Sequence, residues 1–409
     1  MAIRPLTPPD MGQARALWEA CFEDLPAFLD WYFQTRFQPA DGLGIFQDGQ
    51  LVCDLHLSPR RIKLRQQSFP SAYLIALATD PAFRRLGLAK TLLTYALRHL
   101  AAKGIFFTFL LPFNTEFYTR LGWGVWADHR LYYLPPVCNQ AAETAPDPAG
   151  GYRWQFRQVE PEQKLLAEIY ERSFASIDGG LHRSNQDWTC LLLDHTLYGG
   201  KTWLATDPAG TPQGYALVLP PTNGRPILRE LTTGEIALKT PFLNYLAATL
   251  GEASWSATAE TASAVVGANQ TKPLCATPGN DATQLTPYIP SGTQPVFLGR
   301  ITSVAPMLEA RTYPPLTASW VLEVTDPLLP ENSGQYQIQL AGGKMRVTKT
   351  TGQKPTVRCS IGTLARMVTG NAPPEALVDR GDLALDDPEF RTVLATLFPP
   401  ATNFINEYF

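Results

Sequence analysis

The stretch TDPAFRRLGLAKTLLTYAL, Thr79 to Leu97, holds the residue types and spacing best suited to chemistry. An apolar strand ends at Thr79, a turn follows, and Arg84-x-x-Gly87-x-Ala89 opens a helix. Gly87 and Ala89 are small enough to let a ligand approach the backbone. The first amides of a helix have no partner within it and lie at the positive end of its dipole. Such a terminus binds phosphate, and Arg84, Arg85 and Lys90 add charge where a pyrophosphate would lie. This stretch has no GK[ST], so it is not a P-loop. GxGxxG with a following acid is also missing, so it is not a dinucleotide fingerprint.

Other reactive residue types are scattered. Asn114 follows the apolar run IFFTFLLP, and Tyr118 lies in the segment EFYTRLGWG after it. A tyrosine in such a helix serves equally well as core or as an acid. His56 and His129 fall on strands and read as structural, and His99 falls on the helix after the loop and reads as solvated. The six cysteines, at 21, 53, 138, 190, 275 and 359, have neither CxxC nor metal-ligand spacing. They read as reduced thiols, with no metal site. The chain finishes NFINEYF, where Tyr408 and Phe409 read as a tail to be buried rather than frayed.

Composition narrows the class. Hydrophobic residues make up 45% and charged residues 17%, with net charge −3 and mixed signs. Real cores are expected, and nucleic acid is not. The N-terminus lacks a signal-peptide pattern and no apolar run is long enough for a membrane span, so the expected address is the cytoplasm.

The elements that must position the loop follow from periodicity. DMGQARALWEACF has apolar residues at helical spacing, GIFQDGQLVCDLHL is a hairpin turning at Asp48-Gly49, and SAYLIALATD is a strand. A helix closed by Gly104, the strand IFFTFLL, a short helix and the strand WGVWADHRLYYL complete the set. A Pro/Ala/Gly linker marks a boundary near residues 140 to 150. The middle segment repeats part of this order without the loop, and TPYIPSGTQP reads as a second linker. The last segment, a strand meander followed by short helices, reads as α+β.

At this point the sequence resembles a known family. RxxGxA between a strand and a long helix, followed by Asn114 and Tyr118, resembles the acetyl-CoA loop of the GNAT N-acetyltransferases. RITSVAPMLEARTYPP and LEVTDPLLPENSGQYQIQ resemble the sterol-carrier-protein-like third domain of the Eis (enhanced intracellular survival) type. The resemblance covers essentially the whole chain. It implies α/β and α+β folds in three parts: an acetyl-CoA-binding GNAT domain at 1–145, a degenerate GNAT-like domain at 146–290 and a sterol-carrier-protein-like domain at 291–409. It implies transfer of acetyl from acetyl-CoA to a primary amine by direct attack, the acceptor being an aminoglycoside, a polyamine or a lysine-type amine. Tyr118 would protonate the leaving thiolate and the Phe409 carboxylate would serve as a catalytic group. Leu77, Ala78 and Thr79 would pair with the pantetheine arm. Arg84, Arg85, Leu86, Gly87, Leu88, Ala89 and Lys90 would hold the pyrophosphate. Phe113 and Asn114 would flank the reactive end of the cofactor, and Asp24 would line the acceptor pocket. A second acid often precedes the terminal residue in the family; here Tyr408 stands there and Glu407 lies one step back. The family also suggests a hexamer. A binding protein that senses acetyl-CoA or carries lipid without catalysis is the alternative reading.

Overall fold

A computed structural model describes residues 1–134, 154–175, 177–222, 225–250, 253–257 and 289–407. The chain divides into two compact units. One holds Met1–Ala127, Asp178–His182 and Pro295–Ile405; the other holds Asp128–Ile177, Arg183–Gln294 and Asn406–Phe409.

The first unit is built on a sheet of β1 (Ala2–Pro5), β2 (Gly42–Gln47), β3 (Gln50–Leu64), β4 (Gln67–Thr79) and β5 (Phe107–Leu110). Neighbours are antiparallel from β1 to β4, and β5 runs parallel to β4. The turn between β2 and β3 has Asp48 at φ 52° and Gly49 at φ 87°, the left-handed pair that a tight hairpin needs. Helix α1 (Met11–Cys21) and α2 (Pro26–Trp31), extended by a π-helical turn Tyr32–Arg36, precede β2. Helix α3 (Leu88–Ala102) buries Leu88, Leu92, Leu93, Ala96, Leu97 and Leu100, a stripe at helical spacing. That stripe packs on Ile45, Cys53, Leu55, Leu57 and Leu74 of the sheet. Helix α4 (Thr115–Arg120) and the first residues of β6 (Gly124–Leu134) follow.

The same unit includes the C-terminal part of the chain. Of β13 (Ile289–Ile301), Leu298–Ile301 pairs antiparallel with β5, at Leu298–Leu110 through Ile301–Phe107. TPYIPSGTQP, expected as a linker, is therefore strand from Ile289 onward. Its prolines precede the segment that pairs with β5. Beyond β13 lies a five-stranded sheet in the order β16-β15-β14-β17-β18, comprising β14 (Ala318–Thr325), β15 (Gly334–Ala341), β16 (Lys344–Thr350), β17 (Val357–Ser360) and β18 (Leu383–Leu385). Helices α8 (Val304–Glu309), α9 (Ile361–Thr369), α10 (Pro374–Asp379) and α11 (Phe390–Leu397) accompany it. A cavity in its apolar interior, with Trp320, Leu364, Met367 and Phe398 among the lining residues, has a volume of only about 10 Å³. That is about the space of one water molecule, too little for a lipid chain.

In the second unit β7 (Gln155–Val159), α5 (Gln163–Phe174), α6 (Asn185–Leu197), β9 (Lys201–Thr206), β10 (Pro212–Thr222), β11 (Arg225–Thr233), α7 (Ile236–Leu250) and β12 (Ala253–Ala257) repeat the element order of the first sheet. Its sheet runs β7-β9-β10-β11-β12, with β12 parallel to β11. Strand and helix are separated here only by Gly234 and Glu235, whereas Asp80–Gly87 separate β4 from α3. The short strand β8 (Gly179–His182) instead belongs to the first unit, paired with Arg61–Leu64 of β3.

Helix α9 meets β6 backbone to backbone. A Cβ at Gly124 would stand 2.2 Å from the Gly362 carbonyl oxygen, and one at Gly362 would stand 2.9 Å from the Trp123 carbonyl oxygen. Backbone cannot swing aside as a side chain can. Gly124→Ala should therefore cost about 1–3 kcal/mol in chemical denaturation. Gly12→Ala, where the added carbon meets nothing within 4 Å, is the control expected to leave stability unchanged or raised. Equal stability of the two variants would show that α9 does not sit tightly on β6.

Candidate active site

The site begins with a fault in β4. Asp54 of β3 pairs with Ala78, but His56 pairs with Ile75, so Ala76 and Leu77 together oppose Leu55. Ala76 takes up the extra length at φ 53°, a left-handed conformation that costs a non-glycine residue roughly 1–2 kcal/mol. On its other side β4 pairs with β5 only through Tyr73–Phe109 and Leu74–Leu110. Past the bulge, among the described residues, no strand pairs with that side of Leu77, Ala78 and Thr79. Backbone donors and acceptors there are available to an extended ligand.

Thr79 leads into the loop. Asp80 caps a short 3₁₀ turn, its carboxylate accepting from the Ala82 amide at 2.9 Å. Arg85 lies at φ 65° and Gly87 at φ 77°, where Gly87 is the N-cap of α3. The first helical bond runs from the Thr91 amide to the Gly87 carbonyl, 3.0 Å. The amides of Leu88, Ala89 and Lys90 are thus left unspent by the helix. Alternating hand in the loop turns successive N–H groups inward, an anion-binding nest. A Cβ on Gly87 would meet nothing within 4 Å, so the glycine supplies its conformation and an open approach rather than relief of crowding.

The expected loop side chains divide. Arg85, Leu86 and Lys90 are exposed and Ala89 is half-buried. Leu88 is buried in the core beneath the helix and offers a ligand only its main chain. Arg84 is exposed, but its guanidinium turns back, with Nε donating to the Thr79 carbonyl at 3.2 Å and Nη2 to Cys21 Sγ at 3.7 Å.

Tyr118 lies on α4, in the core cluster that includes α3 and against which Leu77 packs. Asn114 N-caps that helix, its side-chain oxygen accepting from the Phe117 amide at 2.9 Å, so that oxygen is already engaged. Tyr118 is 4% exposed, with ring centroids of Phe113, Phe117 and Trp123 at 5.5, 5.0 and 6.0 Å. Among the described residues its hydroxyl has no hydrogen-bond partner. Burial pushes the phenol well above its ordinary value, so it is protonated at neutral pH. Three of the largest exposed apolar side chains, Leu86, Leu111 and Phe113, cluster along this same part of the chain, and Phe113 is 75% exposed.

Asp24 follows α1, and its carboxylate accepts from Trp18 Nε1 at 2.8 Å, which leaves it oriented and half-buried. Phe409 and Tyr408 lie outside the described residues, as do Cys138 and Cys275. Glu407 is buried in the second unit, paired with Arg183, which also holds Glu230 through two hydrogen bonds of 2.8 and 2.7 Å.

Two features of the site escape a reading of spacing. Cys21 and Cys53, expected as scattered thiols, both meet Thr79, Cys21 through the carbonyl at 3.5 Å and Cys53 through the hydroxyl at 3.3 Å. Burial pushes the Cys53 thiol up to about 12, so it stays protonated and poorly nucleophilic. The second is a buried polar row on β3, where Tyr32 Oη lies 3.0 Å from His56 Nδ1 and Asp54 Oδ2 lies 3.5 Å from His56 Nε2. The alternation Asp54, His56, Ser58, Arg60 was its only trace in the sequence. Among the described residues no group of three or more His, Cys, Asp or Glu side chains could hold a metal ion. Nor is any helix there long and apolar enough to cross a membrane.

Residues 2–126 match the family of acetyltransferase (GNAT) domains, and residues 304–406 match the sterol carrier protein domain family. The chain thus carries a GNAT domain at its N-terminus and a sterol-carrier-protein-like domain at its C-terminus. No curated protein matches it. Its fold is that of several solved structures aligned over 100% of both chains. They include a GCN5-related N-acetyltransferase from Anabaena variabilis (21% identity, TM-score 0.79), Eis1 from Mycobacterium abscessus (19%, 0.73) and a GCN5-related N-acetyltransferase from Kribbella flavida (17%, 0.71).

Because the Tyr118 hydroxyl has no partner to lose, Tyr118→Phe should change unfolding free energy by no more than about 0.5 kcal/mol. Ultraviolet difference titration against the wild type should find no phenolate from Tyr118 through about pH 10, the ordinary value for tyrosine. A destabilised variant, or ionisation at the ordinary value, would contradict the burial and isolation of this side chain.

Proposed function

We propose that the chain is an acetyl-CoA-dependent N-acetyltransferase acting on a primary amine. The observation that carries this reading is the juxtaposition of an unpaired strand edge, Leu77–Thr79, with the amide nest at Arg85–Gly87 and the unspent amides of α3. A strand edge suits an extended amide-bearing arm, such as pantetheine, and a nest suits a pyrophosphate. Leu86, Leu111 and Phe113 give that ligand apolar cover, which explains large apolar side chains left in solvent. Tyr118, protonated at neutral pH, serves in this reading as the donor of a proton to the departing thiolate. Cys53, the buried thiol at Thr79, is poorly ionised, which favours direct attack by the amine over a covalent acyl-enzyme. Asp24 would attract the ammonium group of the acceptor. The Phe409 carboxylate enters this reading only through the family resemblance.

The second unit lacks the loop, since β11 passes into α7 through Gly234 and Glu235 alone. Calorimetry should therefore find one acetyl-CoA per chain, and two equivalent sites would refute this. Gly87→Val should abolish that binding, because a branched side chain would occupy the open approach and force a left-handed conformation. Tyr118→Phe should keep cofactor affinity and lose roughly 10²–10⁴-fold in turnover, measured as thiol release with a panel of aminoglycosides, polyamines and lysine-type amines. A chain that binds acetyl-CoA yet releases no thiol with any of these amines would be a sensor instead.

A further inference from the structure

Arg311 carries a poorly compensated charge in the first unit. It is 1% exposed, and its Nε, Nη1 and Nη2 all lack a hydrogen-bond partner. Two other buried arginines show the contrast. Arg300 is joined to Asp326 in the same unit, and Arg183 to Glu230 and Glu407 in the other. Among the described residues no carboxylate forms a salt bridge with Arg311. What it has is the faces of two rings, Tyr313 at 5.1 Å and Phe398 at 5.5 Å. Cation–π contacts offset only part of the cost of removing a guanidinium from water, and arginine cannot shed its proton to escape that cost.

A second arginine adds to the imbalance. Arg65, at the β3–β4 turn with φ 50°, donates Nη2 to the Pro399 carbonyl, but its buried Nε has no partner. Burial first and the Arg311 charge second push Arg65 down to about 10, opposed by Asp178 and Tyr313. Asp178 is itself engaged, its carboxylate accepting from the Thr402 amide at 3.0 Å. Two like charges thus converge where the β3–β4 hairpin meets the segments around residues 311 and 398–401.

We propose that Arg311, with Arg65 beside it, forms a binding site for a small monovalent anion of chloride or acetate size. The three idle guanidinium nitrogens of Arg311 supply the donors, and the Tyr313 and Phe398 rings wall the site. The small size proposed follows from the near-complete burial of Arg311, since the ligand would be enclosed with it. The anion would tie the hairpin tip to the C-terminal part of the first unit and would be a structural ligand, separate from the wedge at Thr79.

The full chain tests this directly. At fixed ionic strength, the thermal midpoint in potassium chloride or potassium acetate should exceed that in potassium isethionate, whose bulk excludes it. The rise should be several degrees and should saturate with concentration. A larger rise with chloride than with acetate, or the reverse, identifies which anion fits better. Arg311→Met should fold and lose the anion-specific increment. Crystals grown in bromide should show anomalous density in contact with the Arg311 guanidinium, which decides the matter even if the variant fails to fold. Equal midpoints in all three salts, an increment retained in Arg311→Met, or no bromide at Arg311 would each overturn the proposal.

Discussion

The first unit is organised around the divergence of β4 from β5. Sheets normally continue their ladders, and an unpaired buried backbone edge is costly. Here the bulge at Ala76 shifts the pairing with β3, and β5 pairs with only two residues of β4. The opening survives because both flanks are otherwise committed. β4 is zipped to β3 along most of its length, and β5 is paired on its far side to Leu298–Ile301. Neither strand can swing in without giving up an established ladder. The loop after Thr79 then delivers the start of α3 to the end of that opening, and the stripe from Leu88 to Leu100 fixes the helix on the sheet.

The C-terminal part contributes to the same constraint. After pairing with β5, the chain is held by Thr302, whose amide and hydroxyl donate to the Phe106 and Ile105 carbonyls at 3.0 and 2.6 Å. Arg300 is buried with Asp326, and Asp326 also accepts from the Leu328 and Leu329 amides and from Asn332. A buried ion pair of this kind contributes little net stability compared with apolar packing, but these added donors keep the Asp326 carboxylate solvated by the protein. Its effect is to fix where the next segment turns. The filled interior of the sterol-carrier-protein-like part, and the backbone contact of Gly362 with Trp123, fit a scaffold role in this unit.

The loop, α1, α3, α4, the Asp48-Gly49 hairpin and the β14–β16 meander were legible because periodicity and turn residues are local signals. The long β3, the short β8 and α6 were not. β3 is buried on both faces and mixes polar with apolar residues, so its alternation of Asp54, His56, Ser58 and Arg60 looks like a solvated face. The prolines of TPYIPSGTQP suggested a linker because the strand they lead into pairs with β5, far away in sequence. In the site, residue types predicted the nest, but not the bulge at Ala76, since alanine carries no left-handed preference. Nor did they reveal that the Arg84 and Asn114 side chains are used locally, one on Thr79 and one as a helix cap.

The last described residues, Asn406 and Glu407, are buried among polar partners. In the second unit Asn406 donates to the Arg229 carbonyl and to Glu230, each at 2.8 Å, while Glu407 shares Arg183 with Glu230. Two carboxylates and one guanidinium would leave a net negative charge inside. The two acids respond in opposite directions. Against burial, which would raise it, Arg183 and the hydrogen bonds from Tyr215 and Asn406 hold Glu230 below its ordinary value. Burial raises Glu407 despite the same arginine. The stable set is therefore Arg183 cationic, Glu230 anionic and Glu407 the first to take a proton. By linkage, the stability due to Glu230 is present above its unfolded value and is lost only as pH falls through its depressed folded one. Glu407 has the reverse sign, since protonation through its raised value favours the folded state. Mild acid thus neutralises this buried network before it breaks the Arg183–Glu230 pair, and the hold on the tail at Asn406 and Glu407 outlasts the loss of the Glu407 charge.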